Sequence, residues 1–505
     1  MSTQTPPPPS TGEPAGAPQP AAARRGTGEG HAGASPVREG SRVVIVGGGP
    51  GGYEAALVAR RLGARVQLVE SHGMGGAAVL TDVVPSKTLI ATAEWMTVTE
   101  SATELGIRVP GTDGRPLEVD LGAVNQRVRE LARRQSEDIH ARLEREGVEI
   151  LLGTGRLGSA AGAGGTRQVL VTGADGEERA LVADVVLLAT GASPRKLAQA
   201  RPDGERILTW TQLYRLSELP EHLVVVGSGV TGAEFAGAYT SLGAQVTLVS
   251  SRDRVLPGED AEAAELIETV FRRRGMQVLS RTRAQAVRRT GSGVAVELND
   301  GSVVEGSHCL MAVGGVPNTT DLGLEEAGVR VSGTGNVQVD RVSRTTTHRV
   351  YAAGDCTGVL PLASVAAMQG RVAMWHALGD AVAPLDLDAV AANIFTAPEI
   401  ATIGVTEAEV SSGAVDGVVS RLPLARNPRA KMLGIREGFV KIFSDRASGT
   451  VLGGVVVAPR AGELIYPVTI AVTQRLTVDE LANVFTVYPS LGGSVSEAAR
   501  TLHRS

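Results

Sequence analysis

The strongest constraint on the fold is a strand, glycine loop and helix unit that occurs twice. The apolar run Arg42–Val46 leads into the first loop, and Leu223–Val226 leads into the second. The motif Gly-x-Gly-x-x-Gly is formed by Gly47, Gly49 and Gly52 in the first loop and by Gly227, Gly229 and Gly232 in the second. A helical pattern follows each loop. Because such glycines let the backbone approach a pyrophosphate at a helix N-terminus, the sequence predicts two dinucleotide-binding folds.

The two units differ where their second strand ends. The first strand ends in Glu70, a carboxylate suited to accept hydrogen bonds from a ribose 2′-hydroxyl. The second is followed by Ser250, with Arg252 and Arg254 close behind, and no carboxylate stands there to repel a 2′-phosphate. This favours NADPH over NADH, with use of both left open, and the alternative is that both arginines point into solvent. The difference suggests that the two folds bind different nucleotides, one acting as the donor and the other as the acceptor of a hydride.

Composition excludes several other classes of protein. The chain has 505 residues, 43% of them apolar, and a net charge of −5, which is no footprint for nucleic acid. Cys309 and Cys356 are the two cysteines, and their spacing fits no disulfide framework or metal site, so we expect a cytoplasmic protein without a metal. No apolar run is long enough to span a membrane. Residues 1–40, rich in Pro, Ala and Gly, are predicted to be a disordered tail.

From about Arg42 to near Leu502 the sequence resembles the flavoprotein disulfide reductases, typified by lipoamide dehydrogenase and glutathione reductase. The matching motifs are Ala189-Thr190-Gly191, Gly314-Gly315-Val316-Pro317-Asn318, Tyr351-Ala352-Ala353-Gly354-Asp355, Phe395-Thr396-Ala397-Pro398-Glu399-Ile400 and Gly462-Glu463-Leu464-Ile465. The second of these has Gly315 where the family has Arg.

The resemblance implies an α/β fold with two Rossmann-like dinucleotide-binding domains and a C-terminal α+β dimerisation domain. The FAD-binding domain would comprise 41–196 and 309–386, with the NAD(P)-binding domain at 197–308 and the interface domain at 387–505. By the same resemblance the chain is a homodimer with FAD and either NADP or NAD as cofactors. The implied FAD contacts outside the first glycine loop are Glu70, Gly76, Thr190, Gly191, Asp355 and Ala363.

The reductive half of the family's chemistry is retained. The resemblance implies that Lys87 pairs with Glu234 beside the flavin ring, where a cation stabilises the negative charge of the reduced flavin. The helix that begins near Ala363 is expected to direct its N-terminus at the flavin's pyrimidine edge, with the same electrostatic sense.

The oxidative half is missing. The family's redox-active cysteines correspond to Ala78 and Val83, and its catalytic His and the Glu that holds it correspond to Tyr488 and Gly493. Disulfide chemistry needs a thiolate, a second cysteine and a base, and none of these positions supplies one.

What remains beside the flavin is a predicted small apolar space lined by Ala78, Val79 and Val83. The sequence looks most like the branch of the family known as NAD(P)H:quinone reductases, which lacks the cysteine pair. We therefore expect a planar quinone as acceptor, with Tyr488 either hydrogen-bonding a quinone oxygen across the dimer interface or simply packing there. Contact with a membrane surface to reach lipid quinones is left open. The alternatives are a pyridine nucleotide transhydrogenase and a non-enzymatic flavin-based redox sensor.

Overall fold

The computed structural model describes residues 40–102, 106–107, 117–158 and 165–503. The predicted disordered tail therefore lies outside the described residues, apart from Gly40. The first part of the chain forms β1 (Arg42–Val46), α1 (Pro50–Arg61), β2 (Arg65–Glu70), α2 (Gly76–Leu80), α3 (Val83–Ala102), α4 (Leu121–Arg145), β3 (Glu149–Leu152), β4 (Thr154–Leu157), β5 (Arg167–Thr172), β6 (Glu178–Ala183), β7 (Val185–Leu188) and β8 (Ala192–Pro194). Strands β4, β5 and β6 form a separate antiparallel sheet.

The helical sequence pattern predicts a helix from Leu89 to Glu100, but α3 begins six residues earlier, at Val83, so Lys87 lies inside a helix. The early start is compatible with Pro85 because the first turn of a helix has no intrahelical partner for its N–H groups. Helix α4 agrees with the helix over 120–146 that the charged amphipathic sequence pattern predicts. The Asp120 carboxylate caps it by accepting a 2.9 Å hydrogen bond from the Ala123 N–H. In the described parts of the chain, no helix is both long and apolar enough to cross a membrane.

The second unit repeats the first. It contains β9 (Ile207–Thr209), the 3₁₀ helix Trp210–Arg215, β10 (His222–Val226), α5 (Val230–Ser241), β11 (Gln245–Val249), α6 (Ala261–Arg273), β12 (Gln277–Leu279), β13 (Ala284–Arg289), β14 (Val294–Leu298), β15 (Val303–Gly306) and β16 (His308–Met311). A parallel sheet has the order β12-β11-β10-β16-β9, and β13, β14 and β15 form an antiparallel sheet. Strand β16 runs past the predicted domain boundary at residue 308, because its apolar residues pair with β10.

The chain then returns to the first sheet. It forms β17 (Gly315–Pro317), β18 (Val350–Ala352) and α7 (Ala363–Ala377). Strand β18 pairs with β7, which completes the parallel sheet β18-β7-β1-β2-β3, and β17 pairs with β8. Helices α1 and α7 meet at two glycines, and a Cβ at Gly370 would lie only 2.0 Å from the Gly51 carbonyl oxygen. Helix α1 is thereby held against residues more than three hundred positions away.

The C-terminal part is an antiparallel sheet with helices, as predicted. Its elements are β19 (Ala392–Ile394), β20 (Glu399–Gly404), α8 (Glu407–Ser411), β21 (Gly417–Pro423), α9 (Pro428–Met432), β22 (Phe439–Asp445), β23 (Val451–Ala458), α10 (Ala461–Leu464), α11 (Tyr466–Gln474), α12 (Val478–Ala482) and α13 (Gly493–Arg500). The sheet order is β19-β20-β23-β22-β21. One face packs on α11, α12 and α13, while Phe439 and Phe443 on the other face join the core around Phe235 of α5. The second unit and the C-terminal domain therefore share a core.

Candidate active site

The first glycine loop is shaped to receive a phosphate group. Gly47 has a φ of +105°, and a Cβ at Gly52 would lie 1.8 Å from the Gly47 carbonyl oxygen, so neither position tolerates a side chain. Gly49 precedes α1 and provides no side-chain cap. The N–H groups of the first helical turn are thus left for an external acceptor, as a pyrophosphate would be.

Glu70 and Gly76 border this loop. The Glu70 carboxylate is buried and accepts hydrogen bonds from the N–H groups of Gly48 and His72, both at 2.7 Å. Gly76 has a φ of +56°, and a Cβ there would lie 2.9 Å from the Gly49 Cα. The structure therefore brings the predicted carboxylate and both glycine segments together.

A second turn approaches from β7. The Thr190 hydroxyl donates a 2.7 Å hydrogen bond to the Asn318 carbonyl, and the Asn318 side-chain amide donates a 2.9 Å bond back to the Thr190 carbonyl. A Cβ at Gly191 would meet no atom within 4 Å, so open space lies over this turn. Asn318 lies in one of the family motifs, but no sequence signal marks it as the residue that holds Thr190.

Asp355 provides the best test of whether FAD fits this site. Burial raises the pKa of its carboxyl group, yet the carboxylate accepts no hydrogen bond from any described residue. A ribityl hydroxyl would supply the missing donor. Helix α7 begins at Ala363 without a side-chain cap, so its N-terminal N–H groups are also available to an acceptor. These residues fit FAD.

Lys87 and Glu234 form the ion pair that the family resemblance implied. The Lys87 ammonium group lies 2.7 Å from Glu234 Oε2, and its side chain is 26% exposed while that of Glu234 is 3% exposed. Glu234 Oε1 accepts a 2.9 Å hydrogen bond from the Phe395 N–H, and the Lys87 ammonium lies 4.9 Å from the centre of the Phe395 ring. Phe395 thus connects the C-terminal domain to the pair, a contact that its sequence motif does not predict.

The predicted acceptor space is lined differently from expectation. Ala78 and Val83 are partly exposed, but Val79 is buried and its methyl groups pack against Gly75. Val79 therefore packs beneath the turn at Gly75 and does not face the predicted acceptor space. Asp82, which was not among the predicted site residues, adds a carboxyl group to this region. Burial raises its pKa to about 6, with Lys87 opposing the shift and Glu234 reinforcing it.

The second glycine loop repeats the geometry of the first. A Cβ at Gly232 would lie 1.8 Å from the Gly227 carbonyl oxygen, and Gly229 precedes α5 without a side-chain cap. The hydroxyl of Ser250 is buried and lies 2.7 Å from that of Ser228 in the loop.

The two arginines beyond this loop are differently placed. The Arg252 side chain is exposed, and its guanidinium forms no hydrogen bond or ion pair with any described residue. Arg254 instead pairs with Asp253 at 3.6 Å. Arg252 is therefore the freer of the two for an anionic ligand.

Tyr488 and the cysteines lie elsewhere. The Tyr488 side chain is 82% exposed and its hydroxyl makes no hydrogen bond among the described residues, so nothing in the single chain joins it to Lys87. Cys309 and Cys356 are both unpaired and fully buried, and burial raises the pKa of each thiol, so neither is placed for redox chemistry at the surface.

Fold and site together define a flavoprotein oxidoreductase with two dinucleotide-binding folds. The family "Pyridine nucleotide-disulphide oxidoreductase" matches residues 41–370, and its dimerisation domain matches residues 390–499. The NAD(P)H dehydrogenase (quinone) of Mycobacterium tuberculosis (strain ATCC 25618 / H37Rv) is 53% identical over 465 residues, which covers 92% of this chain and 94% of that protein. The dihydrolipoyl dehydrogenase of Zymomonas mobilis is 32% identical over 471 residues, with 91% and 98% covered.

Structural comparison agrees with the sequence comparisons. The crystal structure of LpdA from Mycobacterium tuberculosis is similar with a TM-score of 0.88 at 53% identity, covering 92% of this chain and 100% of that one. The chain belongs to the pyridine nucleotide-disulphide oxidoreductase family. This confirms the predicted fold class, and the family's cofactors are FAD and NAD(P)H.

Proposed function

We propose that the protein is an FAD-dependent NAD(P)H:quinone oxidoreductase that works without a redox disulfide. The observation that carries the proposal is the replacement of both redox cysteines by Ala78 and Val83, in a chain whose two remaining thiols are buried in the core. The first glycine loop, Glu70, Thr190 and Asp355 would hold FAD, which would supply the chemistry for hydride transfer from NAD(P)H to the acceptor. The name of the 53% identical relative supports a quinone as the acceptor.

The role of Lys87 is to hold a positive charge against the cofactor ring. Glu234 is buried and fixed by the Phe395 N–H, so it keeps the ammonium group in one position. A fixed cation in a site with little water stabilises developing negative charge without reorganisation. Glu234 is thus the positioning residue of the pair.

The nicotinamide is proposed to be NADPH in preference to NADH. Ser250 stands where a carboxylate would repel the 2′-phosphate, and its hydroxyl is already used by Ser228. The exposed guanidinium of Arg252 is available to form a charge-assisted hydrogen bond with that phosphate.

A homodimer is proposed to complete the site. The dimerisation-domain match covers the C-terminal part of the chain, which exposes large apolar side chains. Six of them lie between residues 466 and 488: Tyr466, Ile470, Val484, Phe485, Val487 and Tyr488. Burial of this surface against a second copy would bring Tyr488 to the partner's acceptor space, where its hydroxyl could donate to a quinone oxygen.

The test is an acceptor panel with purified, FAD-loaded protein. Quinones, oxidised lipoamide, glutathione disulfide and NAD would each be offered under NADPH and, separately, under NADH. We expect turnover with quinones, more efficient with NADPH, and none with the disulfides. Preferred turnover with NAD would identify a transhydrogenase, and flavin reduction without turnover on any acceptor would identify a sensor; either result would refute the proposal.

A further inference from the structure

Asp82 is a carboxyl group that neither the family comparison nor the proposed function uses. It lies between α2 and α3, next to Val83, and is partly buried. The charged groups that influence it belong to three parts of the chain: Lys87 on α3, Glu234 on α5 and Asp355 after β18. These are three of the residues proposed to surround the FAD ring and its ribityl chain, so Asp82 lies beside the same space.

Asp82 precedes α3 and could have a purely structural role as its N-terminal cap, but its carboxylate does not form the hydrogen bonds of a cap. An aspartate before a helix usually accepts hydrogen bonds from the N–H of the second or third helical residue. The third residue of α3 is Pro85, which has no N–H, and the Asp82 carboxylate accepts no hydrogen bond from any described residue. Buried polar groups usually have a hydrogen-bond partner, so this carboxyl group is available to a ligand.

The electrostatic surroundings set the protonation state of Asp82. The groups that face it are the Lys87 ammonium, the carboxyl groups of Glu234 and Asp355, and the phenol of Tyr214 on the 3₁₀ helix. Burial is the largest influence and raises the pKa of Asp82 to about 6. A carboxyl group in this range exchanges protons near neutral pH, as a general acid must.

We propose that Asp82 is the acid that protonates the quinone during its reduction. This inference rests on the proposed function. Reduction of a quinone to its hydroquinone takes one hydride equivalent, supplied through FAD from NAD(P)H, and one proton. The O–H bond of the Asp82 carboxyl group breaks as an O–H bond forms on the quinone oxygen, and the carboxylate then regains a proton from water. Asp82 would thereby donate a proton in a chain that has Tyr488 in place of the family's catalytic His.

The experiment compares wild type with Asp82→Asn and with Glu94→Gln, a matched loss of one carboxylate from an exposed position on α3. FAD-loaded protein is reduced with NADPH and mixed with a water-soluble naphthoquinone across a pH series, and flavin absorbance reports reoxidation. The acid must be protonated to act, so the wild-type rate should fall about tenfold per pH unit above about pH 6. Asp82→Asn should be slower at pH 6 by about 10²-fold, with a flat profile. Glu94→Gln should follow wild type.

A second readout does not depend on turnover. The absorbance of the oxidised flavin, titrated with pH, should show a transition near pH 6 in wild type and in Glu94→Gln, and none in Asp82→Asn. Measured FAD content verifies that the variant is folded. If Asp82→Asn keeps the wild-type rate and pH profile, or keeps the spectral transition, the proposal for Asp82 is overturned while the proposed function stands. If wild type itself is not reoxidised by any quinone, both fail.

Discussion

Replacing Lys87 with methionine should destabilise the protein because it leaves the buried Glu234 carboxylate without its cation. Breaking a buried ion pair by removing one partner typically costs about 3–5 kcal/mol. The lower end applies here, about 3 kcal/mol, because only one partner is fully buried: the Glu234 side chain is 3% exposed, but that of Lys87 is 26% exposed. The Phe395 N–H still serves Oε1.

The assay is thermal unfolding of the FAD-loaded protein followed by flavin fluorescence at a fixed excess of FAD. A change of 1 kcal/mol shifts Tm by about 2–4 °C for a cooperative unit of 150–250 residues, so Lys87→Met should lower Tm by about 6–12 °C. The double variant Lys87→Met/Glu234→Gln should recover much of this loss, since it buries no unpaired charge. Lys196→Met, at an exposed lysine, is the control. A Tm for Lys87→Met within about 1 °C of wild type, or losses that simply add in the double variant, would refute this reasoning.

Three further predictions follow from individual positions. Arg252→Ala should raise KM for NADPH by about tenfold or more, since hydrogen bonds to charged groups contribute about 1.5–3 kcal/mol, and leave KM for NADH unchanged; equal effects on both would contradict the assignment. Gly370→Ala should weaken FAD retention, measured as flavin content after dialysis, because its Cβ would lie 2.0 Å from the Gly51 carbonyl oxygen, and unchanged retention would be contrary evidence. Ala78→Cys/Val83→Cys should still not reduce lipoamide, because Tyr488 and Gly493 stand where the family has the His and Glu that serve the thiols, and disulfide turnover would show otherwise.

The elements with a strong local signal could be predicted from the sequence. The strands at Arg42–Val46 and Gln245–Val249 agree with the structure because buried parallel strands are short runs of β-branched residues. The predicted start of α3 at Leu89 was wrong, because the helix begins at Val83 and its first turn accommodates Pro85.

Residues that act through contacts with distant parts of the chain could not be predicted from local sequence patterns. Asn318 holds Thr190 from 128 positions away, and Phe395 serves Glu234 from 161 positions away, so no local pattern marks either contact. Val79 looked like a lining residue by its neighbours, but the turn directs it inward against Gly75. The sequence shows Asp82 as a carboxylate next to Val83, which replaces a redox cysteine of the family. Its proximity to Lys87, Glu234 and Asp355 is a tertiary feature that the sequence does not show.

The central claim is that electrons leave the cofactor without passing through sulfur. The most direct measurement uses the Cys309→Ala/Cys356→Ala variant, reduced anaerobically with one equivalent of NADPH and then mixed with a naphthoquinone or with oxidised lipoamide in a stopped-flow spectrometer. The account predicts that quinone restores the oxidised flavin spectrum at a rate within about threefold of wild type, and that lipoamide leaves it reduced. Loss of reoxidation by quinone in the cysteine-free variant would contradict the account, as would reoxidation of the wild-type protein by lipoamide.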